Sequence, residues 1–112
     1  MFAVALSSGS KGNCVYVESG ATRILIDAGI SGKQATERLA CHGRRIESAT
    51  ALLITHDHSD HARSAGIFQR KFGLPIYATR PTFREADRRY NLGRVSDVRH
   101  FDSGATLVIG DL

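Results

Sequence analysis

The run Ala51-Leu52-Leu53-Ile54-Thr55-His56-Asp57-His58-Ser59-Asp60-His61 joins a continuous apolar stretch to a dense group of metal-ligating side chains. Ala51–Thr55 is apolar until its last residue, the pattern of a strand buried on both faces. Directly after it, His56, His58, Asp60 and His61 put four candidate ligands within six residues. Neutral imidazoles with a carboxylate suit Zn²⁺, and Mn²⁺ or Fe²⁺ where carboxylate content rises. Side chains alternate along an extended backbone, so His56 and His58 project to the same side, while Asp60 and His61 fall where the chain curls into a helix and point to a second centre. The spacing predicts a two-metal site with one pair of ligands feeding each ion. Such a site makes a metal-bound hydroxide near neutral pH and clamps a developing oxyanion. The plainer reading is a solvated acidic loop. A turn needs no histidine, however, and packing does not explain three of them at the tip of a buried strand.

Working outward, the flanking segments alternate in kind. Phe2–Leu6, Cys14–Glu18 and Thr22–Asp27 are short β-branched-rich runs separated by Ser7–Asn13 and by Ser19-Gly20, which are turn signals. They predict an antiparallel meander. Ser31-Gly32-Lys33-Gln34 has the form of a capping box opening a helix in which Ala35 and Leu39 repeat at i, i+4 and which Gly43 stops. Beyond the histidines, His61–Phe72 reads as one helix closed by Gly73, and Pro75–Ala78 as a strand. Thr82-Phe83-Arg84-Glu85 reads as a second capping box, opening a helix to about Tyr90. Val98–Phe101 and Thr106–Ile109 read as a closing hairpin turned at Asp102-Ser103-Gly104. The order βββ-α-β-α-β-α-ββ predicts an α/β (α+β) fold.

The bulk properties agree with one soluble globular domain. The chain has 112 residues, of which 42% are hydrophobic and 23% charged, and its mean hydropathy is −0.17. That balance excludes a disordered or collagen-like chain and a coiled coil, and no apolar run approaches the ~18 residues of a membrane span. Met1–Leu6 lacks a basic flank and reads as a strand, not a secretion signal. Two cysteines, Cys14 and Cys41, make no disulfide framework or Cys-x-x-Cys motif. They predict free thiols in a reducing compartment, with a cytoplasmic location as the default.

The histidine signature following an apolar strand resembles that of the metallo-β-lactamase-fold hydrolases. The resemblance extends to Ser8-Gly9-Ser10-Lys11-Gly12-Asn13, Leu25-Ile26-Asp27-Ala28-Gly29, Ile54-Thr55-His56, Gly73-Leu74-Pro75-Ile76-Tyr77-Ala78, Phe101-Asp102-Ser103-Gly104 and Gly110-Asp111-Leu112, which look like the YycJ/WalJ-type branch of that superfamily. It implies that residues 1–112 are the N-terminal half of an αββα sandwich, truncated at the C-terminus, with a dinuclear site at one edge. His56 and His58 would bind the first metal, and Asp60 and His61 the second. Asp60 would also orient the water and take its proton, and Asp27 would orient a ligand histidine from behind. On its own residues Asp27 is equally a strand-ending turn with Ala28-Gly29. The Ser8–Asn13 loop would lie near the mouth of the site.

The same resemblance implies further ligands downstream of Leu112, for which His42 and His100 do not substitute. An incomplete sandwich predicts an uncovered sheet face inviting self-association, weakened metal affinity, and slow or absent hydrolysis by this chain alone.

The charge is unevenly spread. Lys and Arg number 15 against 11 acidic residues, a formal +4. Residues 80–99 hold Arg80, Arg84, Arg88, Arg89, Arg94 and Arg99 against Glu85, Asp87 and Asp97, so +3 falls in one stretch. Arg84 and Arg88 share a helical face, and Glu85 can pair with Arg89. The stretch is either a solvated helix face or a ridge contacting phosphate. With the branch resemblance, the leading expectation is a metal-dependent phosphodiesterase or nuclease acting on nucleic acid, with no membrane partner. Hydrolysis of lactam, thioester or lactone substrates uses the same metal chemistry. The alternative from another class is a non-catalytic metal-binding or structural half-domain.

Overall fold

The computed structural model describes every residue except Asp111. Six strands form one sheet in sequential order: β1 (Phe2–Ser7), β2 (Cys14–Ser19), β3 (Thr22–Ile26), β4 (Ala51–Leu53), β5 (Ile76–Ala78) and β6 (Val98–His100). The first three form the predicted antiparallel meander, and β3 to β6 run parallel. Helices α1 (Gly32–Ala40), α2 (Ser59–Ala62), α3 (Ala65–Phe72) and α4 (Arg80–Tyr90) occupy the crossovers between parallel strands. Right-handed crossovers that step in one direction along a sheet lay all their helices on the same face.

The register divides the sheet into two unlike faces. Tyr16, Leu25, Leu52 and Ile76 are mutual cross-strand neighbours and fully buried. They form one core with Leu39 of α1, Phe68 of α3 and Ala86 of α4. Each large side chain so buried contributes roughly 1.5–3 kcal/mol, which makes this layer the main source of stability. The opposite face carries Val15, Val17, Ile26, Leu53 and Tyr77, all only half-buried, and no second sheet among the described residues covers it. Only its Thr22–Ile24–Ala51 corner is buried. There the C-terminal run folds back, so closely that a Cβ on Gly110 would fall 2.1 Å from Thr22 Oγ1.

Helix α1 follows the expectation. Ser31 Oγ accepts from the Gln34 amide, the Gln34 side chain accepts from the Ser31 amide, and Ala35 and Leu39 face the core. Gly43, at φ 74°, takes the left-handed turn that ends it.

Three expectations are corrected. The single helix over His61–Phe72 is two, because the Ser64 amide donates to Ala28 O at 2.9 Å instead of continuing the helical ladder. The cap of helix α4 lies three residues before the predicted one. Thr79 Oγ1 accepts from the Thr82 amide, and Pro81 sits in the first turn, where it has no amide to leave unpaired. The closing hairpin does not form: β6 pairs in parallel with β5, while Ile109 exchanges both backbone bonds with Leu112 at 2.9 Å. A parallel edge was available to Val98–His100, and the chain beyond the 102–105 turn runs instead to the Thr22 corner, where Gly110 packs. Asp111 of the Gly110-Asp111-Leu112 motif lies outside the described residues.

Candidate metal centre

The carboxyl ends of β3 and β4 open beside each other, and the chain leaving each strand carries the chemistry. Residue Asp27, immediately after β3, is only 5% exposed and adopts φ 69°, a left-handed conformation that non-glycine residues rarely take. It turns the carboxylate toward the end of β4. There Oδ1 accepts from the Thr55 amide at 2.8 Å, and Oδ2 accepts from the Thr55 hydroxyl at 2.6 Å and from His61 Nδ1 at 2.7 Å. Thr55 Oγ1, having given its proton to Asp27, lies 2.8 Å from His56 Nδ1 and can only accept from it.

These bonds fix the protonation of both rings. Asp27 is a pure acceptor and Thr55 Oγ1 has one proton, so His56 and His61 must each carry hydrogen on Nδ1. Both Nε2 atoms are then acceptors, that of His61 within 3.4 Å of the Asn13 side-chain amide. The two rings stand with centroids 4.6 Å apart. Ligand atoms of Asp27, His56 and His61 all lie within 4.8 Å of one another. Both Asp27 oxygens already accept hydrogen bonds, whereas neither Nε2 is bonded to Asp27 or Thr55.

His58 and Asp60 sit at the same mouth. His58 stacks beside His56, ring centroids 5.9 Å apart, with its side chain 65% exposed. Asp60 Oδ2 lies 3.6 Å from His61 Nε2. The Asn13 side-chain amide reaches across from the β1–β2 loop, donating to Asp60 O at 3.1 Å and to Asp60 Oδ2 at 3.2 Å, and lies 3.4 Å from His61 Nε2.

Backbone bonds lock the three loops together. The Asn13 backbone amide donates to Asp60 O at 2.6 Å, the Ala28 amide to His61 O at 2.6 Å, and the Gly29 amide to Asn13 O at 2.9 Å. The approach is so close that a Cβ at Gly29 would fall 1.9 Å from Asp60 O. Only glycine fits there. Below the mouth lies Cys14, fully buried, its thiol pushed up to about 12 by burial and by the charge of Asp27; it is an inert packing group. Imidazole Nε2 atoms beside a carboxylate, with their Nδ1 sides held by hydrogen bonds, are a donor set suited to a borderline divalent ion such as Zn²⁺.

Sequence reasoning brought forward His56, His58, Asp60, His61 and Asp27 but gave Thr55 no role and Asn13 only a place in a loop. The adjacency of Thr55 to the first histidine at a strand tip was the available signal. The two arginines singled out on α4 differ. Arg88 is bonded to Glu85, as is Arg89, and these pairs hold the Glu85 carboxyl down at about 2. Arg84 has no partner among the described residues. His42 lies against Phe2, remote from the site on the β1 side, and His100 bonds Ala78 O through Nδ1.

Residues 8–111 match the model of the metallo-β-lactamase superfamily, and the chain belongs to that superfamily. It is 42% identical over 109 residues to the exodeoxyribonuclease WalJ of Streptococcus pneumoniae, covering 96% of this chain and 40% of that protein. It is 44% identical over 79 residues to the exodeoxyribonuclease YycJ of Bacillus anthracis, covering 70% of this chain and 30% of that one. The chain thus spans well under half the length of these relatives. Among solved structures, a subclass B3 metallo-β-lactamase with an active-site glutamic acid superposes with a TM-score of 0.77 at 22% identity, over 97% of this chain and 46% of that one. The flavodiiron protein of Giardia intestinalis gives 0.68 at 19%, over 89% and 24%. Both show the fold alone, the N-terminal part of the metallo-β-lactamase architecture. The superfamily's fold implies divalent metal binding. No helix among the described residues is long and apolar enough to cross a membrane.

Proposed function

We propose that this chain carries the histidine-rich half of a metal-dependent phosphodiesterase acting on DNA, with two divalent ions, Zn²⁺ foremost, as cofactors and the cytoplasm as its location. The observation that carries the reading is the hydrogen-bonded relay His56–Thr55–Asp27–His61, which leaves two Nε2 lone pairs at one mouth. The exodeoxyribonuclease names of the two relatives support the substrate class.

In this reading His56 and His58 hold the first ion, and Asp60 and His61 the second. The bound metal supplies Lewis acidity and lowers the pKa of water toward neutrality. Asp27, directly for His61 and through Thr55 for His56, keeps both imidazoles in the tautomer that can ligate. Asp60 has its Oδ2 engaged by Asn13, which leaves Oδ1 to orient water and accept its proton. Arg84, and Arg88 once released from Glu85, contact phosphate. The remaining donors belong to parts of the fold outside this chain, so the isolated chain binds metal weakly and hydrolyses slowly. Its half-buried sheet face of Val17, Ile26 and Leu53 makes it self-associate.

The test is hydrolysis of single-stranded and duplex DNA by a longer protein containing these residues, with Zn²⁺ or Mn²⁺, against His58→Ala and Asp60→Asn. Metal-dependent DNA cleavage lost in both variants supports the reading. Cleavage of a lactam, thioester or lactone with DNA untouched overturns it.

A further inference from the structure

Next to the metal mouth, along the same sheet edge, the chain builds a second concavity. Parallel strands β4, β5 and β6 all point their carboxyl ends to this edge, where open α/β sheets bind their ligands. His56 follows β4, Thr79-Arg80 follows β5, and Phe101-Asp102-Ser103 follows β6. A cleft of about 390 Å³ opens between the start of α4 and the 101–103 corner, lined by Arg80, Pro81, Arg84, Phe101, Asp102 and Ser103. A second of about 280 Å³, lined by Arg80, Phe83, Arg84, Asp87 and His100, adjoins it and shares both arginines.

Arg80 and Arg84 are two of four arginines, with Arg63 and Arg94, whose side chains are uncommitted among the described residues, and they are the two that meet at one cleft. Arg23 and Arg44 pair with Glu18, Arg88 and Arg89 with Glu85, Arg99 with Asp97, and Arg70 donates to Leu92 O and Arg94 O. Arg80 and Arg84 have no side-chain hydrogen bond or ion pair among the described residues. One helical turn apart, they border the same hollow. Asp102 lines it too but bonds neither of them, and Asp87 is turned to the Leu92 amide at 3.1 Å. Two uncommitted guanidiniums beside a hydroxyl and an apolar wall of Pro81 and Phe101 match a phosphate attached to a sugar and base.

We infer that the Arg80–Arg84 cleft is a subsite for a backbone phosphate of the nucleic-acid strand, neighbouring the phosphate presented to the metal mouth. Strands of a sheet are ~4.8 Å apart, so β6 lies roughly 10 Å from β4, a short step along such a strand. The inference rests on the nuclease reading for its ligand but not for its test.

The experiment is fluorescence-anisotropy binding of a short single-stranded DNA to the 112-residue chain in EDTA, where no cleavage occurs. The Arg80→Gln/Arg84→Gln variant should bind about tenfold more weakly than the unaltered chain. Its dependence of log K on log salt should become shallower by about 1.4, ~0.7 for each phosphate that is no longer neutralised. Arg45→Gln, which removes an exposed charge paired with Glu47 and away from this cleft, should change affinity less than twofold, and Asp102→Asn should tighten binding. Inorganic phosphate should displace the DNA only at tens of millimolar. Equal weakening by Arg45→Gln, no binding by the unaltered chain, or displacement by sub-millimolar phosphate overturns the subsite. If binding depends on Arg80 and Arg84 yet the metal-loaded longer protein leaves DNA intact, the nuclease reading fails and the subsite stands.

Discussion

Oδ2 of Asp27 accepts from Nδ1 of His61 at 2.7 Å, and the same oxygen accepts the Thr55 hydroxyl that His56 leans on. One buried carboxylate thereby governs the tautomer of two imidazoles that come from a different strand end.

Asp27→Asn should break this arrangement without changing its shape. The amide that replaces an oxygen would face an N–H or O–H donor, leaving one buried donor unpaired at a cost of about 1–3 kcal/mol. Urea denaturation checks that figure. Metal affinity should fall ~10–100-fold, the usual effect of removing the partner behind a ligand histidine, measurable by Zn²⁺ titration.

Thr55 separates orientation from packing. Thr55→Ser keeps the hydroxyl between Asp27 and His56 and should hold Zn²⁺ affinity within about threefold, whereas Thr55→Val keeps the shape and should lose about tenfold or more. Equal affinities in the two variants would show that the hydroxyl is not needed.

Gly29→Ala should be among the most damaging small substitutions. Its Cβ would sit 1.9 Å from Asp60 O, so the loops that carry Asp60 and Asn13 must part. A loss of about 3 kcal/mol or more in urea is expected, the upper end for overpacking. Gly104→Ala, where a Cβ meets nothing within 4 Å, suffers only from its positive φ of 86° and should cost less.

The two thiols should behave differently. Cys41 is exposed and Cys14 is buried with its thiol raised to about 12. A chromogenic disulfide at pH 8 should titrate one thiol in the native chain and two in denaturant. The folded-state value lies above the ordinary 9.0, so the native state holds this proton more tightly. Its contribution to stability is complete below pH 9 and is lost as pH rises toward 12. Native-state labelling of both thiols at equal rates would contradict this.

The bare sheet face should be sticky. Sedimentation velocity should show concentration-dependent association of the chain, reduced by Leu53→Glu in the middle of the half-buried row. A monomer at every concentration would remove that proposal.

Much of this was legible in the residues, for identifiable reasons. The Ser31–Gln34 capping box and the Ala35–Leu39 pair are local signals, and α1 obeys them. The histidines stand out because packing does not explain three of them at the tip of a buried strand. What the sequence concealed depended on bonds between distant segments. Ser64 breaks a continuous helical pattern because its amide finds Ala28 O, 36 positions away by number. Thr82–Glu85 looked like a box, but Thr79 was free to cap and Pro81 could only occupy a first turn, so Glu85 turned to Arg88 and Arg89 instead. Val98–His100 took the open parallel edge of β5, which no hairpin pattern in its own segment could reveal. Asn13 was hidden for the same reason, since its bonds to Asp60 cross to another loop, and so was the bond from Thr55 to Asp27.

The most direct measurement is the long-range ¹H–¹⁵N spectrum of the histidine rings, first in EDTA at pH 8 and then with Zn²⁺ added. Both His56 and His61 should appear as Nδ1–H tautomers without metal, and their Nε2 resonances should move on coordination when Zn²⁺ enters. Either ring in the Nε2–H form, or bound Zn²⁺ that leaves both Nε2 signals in place, would contradict the account.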